Sequence, residues 1–146
     1  MSTGVLKDAF ILTYDRMCRY QGEWHVETKP MFPNYVFLES DDEKALADEL
    51  KQYGSIVRIQ KADNMLLHVQ REEEQFLKYL CGRNHHMGMS KGVIRNGITR
   101  ITDGPLKGLE NHIRKIDRHK RLACVQTPKG HLQESILAGL EIVEKS

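Results

Sequence analysis

Long apolar runs are the first absence: no stretch approaches the ~18 uncharged apolar residues of a membrane-crossing helix. Cysteine is the second, since Cys18, Cys81 and Cys124 are too few and too scattered for a disulfide framework. Catalytic signatures are the third. There is no Gly-x-Ser-x-Gly, no phosphate-cradling Gly-Lys-Ser/Thr and no His-Glu-x-x-His. Cys81, His85 and His86 are potential metal ligands, but no fourth stands at a useful spacing, and they read more simply as a helix-end cysteine and two loop histidines. The carboxylates cluster at helix starts (Asp41 to Glu43, Glu72 to Glu74), where solvated capping accounts for them. The expectation is therefore a protein that is not an enzyme, with no catalytic residues, no cofactor and no metal site. Met1 to Phe10 carries one lysine and a short apolar stretch, which does not read as a signal peptide. A cytoplasmic protein with no membrane partner is expected.

What is present is enough for one ordinary domain or two very small ones: 146 residues, 40% hydrophobic and 29% charged. The net charge of +2 hides an uneven distribution. Residues 1–90 carry 11 Lys+Arg against 14 Asp+Glu, residues 91–130 carry 10 against 3, and the last 16 carry 1 against 3. An acidic first module and a basic second one follow, and a polyanion, nucleic acid foremost, is the natural partner of the second.

Along the chain, Ala9 to Tyr14 is β-branched and aromatic and reads as a strand, followed by polar residues 15–29 with Trp24 among them. Pro33-Asn34 suits a bend and Tyr35 to Leu38 a buried strand. Ser40-Asp41-Asp42-Glu43 is a capping box opening a helix whose stripe is Leu46, Leu50 and Tyr53. Short strands are expected at 55–60 and 66–69, then a second helix from Arg71 to Cys81, with Phe76, Leu77 and Leu80 inward and Gly82 beyond its end. That order is an α+β arrangement of helices on a sheet. Residues 82–92 have no period and three glycines, which suggests a linker. Beyond it, β-rich runs at 97–102, 112–117, 122–127 and 142–144, split by turns, imply a small β-barrel.

Two constellations stand out. Met31 to Phe37 is aromatic around the Pro33-Asn34 bend; its rings either all fill the core or leave one outward as an apolar patch for a protein partner. Trp24 poses the same choice, with the core favoured. The second is the run 114–121, in which Arg114, Lys115, Arg118, Lys120 and Arg121 are cationic, His119 sits among them and only Asp117 is acidic. On a hairpin, Arg118 to Lys120 form the tip, with Lys107 on a separate loop. Such a hairpin is either a solvated charged tip or a phosphate-binding surface whose affinity falls with salt. Few aromatics accompany it, which argues against stacking on single-stranded bases.

Gly104-Pro105-Leu106-Lys107-Gly108-Leu109-Glu110, followed by Ile113 to Asp117, resembles a KOW motif, and Phe32-Pro33-Asn34-Tyr35-Val36-Phe37 resembles the central strand of the NusG N-terminal domain. In this order the two resemble a NusG-family transcription elongation factor over roughly residues 9–145, and details at 104–110, 116–121 and 139–145 are closest to the specialised LoaP-like paralogues. The resemblance implies an α+β NusG-type N-terminal domain (1–84), a linker (85–92) and an SH3-like KOW β-barrel (93–146). It implies no chemistry. It implies docking on the RNA polymerase clamp, with Phe32, Pro33 and Tyr35 lining that surface, and suppression of pausing and termination. The KOW module is then expected to bind RNA, a hairpin in the nascent transcript, through Lys107, Arg114, Lys115, Arg118, His119, Lys120 and Arg121, or to recruit a ribosomal protein or termination factor. Duplex RNA, read by backbone and shape, needs cations more than rings. The family's opening strand and helix have no counterpart before Ala9, which would leave the sheet one strand short with an exposed edge. The rival readings are a ribosome-associated KOW RNA binder and a protein-only interaction module.

Overall fold

The computed structural model describes residues 7–33, 35–40, 42, 44 and 69–146. Among them the fold is mixed α+β, mostly sheet with one α-helix. The chain forms two compact units, each drawn from two stretches: Met1–Ile11 with Phe32–His68, and Leu12–Met31 with Val69–Ser146. The stretch 12–31, read from the sequence as part of the first module, groups with the second.

In the first unit, β1 (Asp8–Phe10) pairs antiparallel with a later short strand, Phe37–Glu39, which sets Ala9 opposite Leu38. Aromatic burial holds the pair: Phe10 stacks on Phe37 with ring centroids 5.8 Å apart, and Phe32 meets Phe37 edge-on at 5.6 Å. The single strand expected over Ala9 to Tyr14 is broken at Ile11-Leu12, where the Leu12 carbonyl accepts the Met31 amide. Ser40 Oγ accepts the Asp42 amide at 3.1 Å, as an N-cap hydroxyl would. All but Lys44 of the helix expected beyond it, and the strand expected at 55–60, lie outside the described residues, as does all but Val69 of the strand expected at 66–69.

The second unit begins with β2 (Thr13–Tyr20) and β3 (Glu23–Pro30), joined by Gln21 and Gly22 at φ of 51° and 81°. Two successive positive φ values make the two-residue turn whose twist matches antiparallel strands. Residues 15–29, which the sequence marks only as polar, thus lie within a hairpin. The sequence hid it because β3 is exposed almost throughout, so no apolar alternation marks a buried face. With Phe37–Glu39 as β4, the helix α1 follows at Arg71–Cys81, the span its periodicity predicts. Phe76, Leu77 and Leu80 are buried on its inner face, Glu72 to Glu74 fill its first turn, and Gly82 closes it at φ 64°.

Residues 85–92 correct the linker expectation. They carry β5 (His86–Met87), parallel to β2, and the start of β6 (Ser90–Arg95), and Met87 and Ser90 are fully buried. Gly92 marks close packing: a Cβ there would lie 2.8 Å from the Arg100 carbonyl. β7 (Ile98–Asp103), β8 (Ile113–Asp117), β9 (Leu122–Gln126) and β10 (Ser135–Lys145) complete a five-stranded sheet in the order β7-β6-β10-β9-β8. The long β10 bridges it, antiparallel to β9 in its first half and parallel to β6 in its second. The closed barrel expected from the run of strands is not formed among the described residues: β7 and β8 are the two edges of an open sheet. Ile101, Leu106, Val125, Ile136 and Leu140 form its buried core.

Candidate nucleic-acid interface

The basic run lies on the β8–β9 hairpin at the edge of this sheet. Ile113 pairs with Val125 and Lys115 with Cys124, so Arg114 is an extra residue, a β-bulge. The bulge leaves two consecutive cations, Arg114 and Lys115, exposed, where strict alternation would turn one inward. Asp117 Oδ1 accepts the Lys120 amide at 3.1 Å and so closes the turn, with Arg118, His119 and Lys120 exposed at its tip. Among the described residues no ion pair ties down Arg114, Lys115, Arg118 or Lys120.

Arg121 behaves differently from its neighbours. At φ 54° it turns the chain into β9, and its carbonyl accepts the Leu140 amide at 2.9 Å. Its half-buried guanidinium lies over the indole of Trp24, 4.2 Å from the ring centroid, with Nη1 4.0 Å from Glu141 Oε1. A cation over an aromatic face is worth roughly 0.5–2 kcal/mol, rising with desolvation. Trp24 is half-buried on β3, directly across from the exposed Arg19 of β2. Sequence reasoning missed both residues at this site, since neither lies near the basic run.

Lys107 is exposed on the connection from β7 to β8, and no hydrogen bond or ion pair joins it to the basic turn among the described residues. Its loop is rigidly set. Gly104 takes φ 100°, Leu106 is fully buried with its amide on Ser90 Oγ at 3.1 Å, and Tyr79 of α1 donates its hydroxyl to the Lys107 carbonyl at 2.6 Å. Glu110, further along, accepts the Ile101 amide at 3.1 Å, and that hydrogen bond holds its carboxyl below the usual range.

The aromatic segment divides between the two outcomes left open by the sequence. Phe32 is buried, only 2% exposed, whereas Tyr35 is half-buried, Pro33 exposed and Val36 41% exposed. The Tyr35 amide donates to the Phe32 carbonyl at 3.1 Å, and the two rings lie 6.1 Å apart. Phe32 thus supports the segment from inside, while Pro33 and Val36 are exposed and Tyr35 is half-buried.

The three potential metal ligands have separate tasks. Cys81 is buried in the last turn of α1, and burial pushes its thiol up to about 11. His85 takes a left-handed backbone, and His86 lies between Thr13 Oγ1 (2.7 Å from Nδ1) and Asp15 Oδ1 (2.9 Å from Nε2), linking β5 to β2. Among the described residues no group of three or more His, Cys, Asp or Glu is placed to hold a metal ion, and no helix is long and apolar enough to cross a membrane. The chain matches no family model, and no curated protein is significantly similar to it.

Proposed function

We propose that this chain is a non-enzymatic transcription elongation and antitermination factor of the NusG kind, contacting the RNA polymerase clamp through Pro33 and Tyr35 and RNA through the β8–β9 hairpin. The observation that carries the reading is the hairpin itself. Arg114, Lys115, Arg118, His119 and Lys120 are exposed together, while the one carboxylate among them, Asp117, has an oxygen engaged by the turn amide. Such a surface neutralises phosphates and releases their counterions, and it reads a folded RNA by backbone and shape. The five-stranded sheet carries the hairpin at its edge, and the Phe32–Tyr35 turn supplies an apolar contact for docking on the polymerase clamp.

The test is binding of the full chain to core RNA polymerase and to a short RNA hairpin across a salt series. Replacing Pro33 and Tyr35 by Ala spares the buried Phe32 and should abolish polymerase binding while leaving RNA binding intact. A chain that binds neither polymerase nor RNA at low salt overturns the reading.

A further inference from the structure

Within 114–121 there is no Phe, Tyr or Trp, and that scarcity of rings argues against stacking on unpaired bases. The fold changes this by bringing an indole from a distant hairpin onto the flank of the basic turn. Trp24 is the sole tryptophan of the chain; it lies under the Arg121 guanidinium and opposite Arg19. Resting on the RNA reading above, we infer that Trp24 and Arg121 form a stacking site for one unpaired nucleobase, so that the RNA partner is a hairpin with unpaired bases next to its stem.

The argument is one of chemistry and placement. Unpaired bases stack on aromatic rings and on guanidinium planes, and Trp24 with Arg121 presents one of each in contact. Both residues are half-buried, which keeps them ordered and still reachable from solvent. Cations stand on both sides: the exposed Arg118, His119 and Lys120 precede Arg121 in the turn, and Arg19 lies across from Trp24 on its own hairpin. A phosphate backbone held by the turn therefore delivers its next unpaired base to the Arg121–Trp24 pair. Glu141, 4.0 Å from Nη1, leaves the other guanidinium donors available to that base.

Because Trp24 is the sole tryptophan, emission excited at a wavelength where the five tyrosines do not absorb reports on this site alone. Two probes are compared at one low salt concentration: a short RNA stem closed by a purine-rich loop, and the same stem as a blunt duplex. The looped RNA is expected to quench Trp24 more strongly than the duplex. Trp24→Leu should weaken binding of the looped RNA by about five- to 150-fold, the range for loss of one stacked base, and leave the duplex affinity unchanged. Trp24→Phe keeps a ring and should retain most of the preference. Equal quenching by both RNAs, or equal weakening of both by Trp24→Leu, overturns the stacking site while the RNA reading stands. Failure of both RNAs to bind the parent chain overturns the RNA reading, and the stacking site with it.

Discussion

At the residue scale, Gly104 is where backbone and space coincide. Its φ of 100° is one that side-chain-bearing residues rarely adopt, and a Cβ there would come within 2.6 Å of the Met89 carbonyl and of Ser90. Gly104→Ala should destabilise the chain by about 1–3 kcal/mol, read from urea or thermal unfolding. Glu73 is a second such position. Its buried carboxylate accepts the amides of Gln70, His131 and Leu132, at 3.0, 3.2 and 2.9 Å, so it caps α1 and ties down the loop before β10. Glu73→Ala orphans all of these donors and should cost at least about 2 kcal/mol, whereas Glu73→Gln, which keeps one acceptor oxygen, should cost less. Glu110 sets a pH dependence. Its carboxyl is held below its ordinary value of 4.5, so the stability it contributes is complete above that value and is lost as pH falls through the lower folded-state value. Unfolding midpoints below that pH should fall less steeply for Glu110→Gln than for the parent.

At the element scale, the β8–β9 hairpin shows how one irregularity changes a surface. The bulge at Arg114 turns a strand into a row of cations, and the Asp117–Lys120 turn places three more basic residues at its end. Replacing Arg118 and Lys120 by Gln should weaken binding to every RNA tested and flatten the salt dependence, by roughly 0.7–0.9 in log–log slope for each phosphate contact removed. An unchanged slope would show that the tip does not touch phosphate. Exposed cations on an edge strand also discourage pairing with another sheet, so Arg114 and Lys115 guard β8 whatever they bind. The helix α1 was legible to the residue because an apolar stripe, acidic first turn and terminal glycine all agree there. The β2–β3 hairpin was not, because its turn is Gln-Gly and its outer strand buries little. Asn96-Gly97, at φ 53° and 77°, is the plainest hairpin signal in the chain, and it joins β6 to β7.

At the scale of the molecule, the second unit is assembled from stretches far apart in sequence. Gly139 of β10 admits β2 so closely that a Cβ there would lie 2.5 Å from the Asp15 carbonyl; Arg121 rests on Trp24, and Glu73 holds residues 131 and 132. The fragment 93–146, the module that the sequence marks off, should therefore melt well below the full chain and with less cooperativity, as followed by circular dichroism. An equal melting temperature would show that the fragment folds alone.

The sequence by itself determined what depends on local order: the span of α1, the strands β7, β8 and β9, the concentration of positive charge between 91 and 130, and the cations of the basic turn. Each follows from periodicity, turn chemistry or composition within a short window. The tertiary structure alone decided that Phe32 is buried while Tyr35 is half-buried and Val36 exposed, that the glycine-rich stretch after α1 carries packed strand, and that Arg121 is held by an indole from another hairpin. Those outcomes depend on which distant surfaces meet, and burial and cation–π contact act between residues that no local pattern relates.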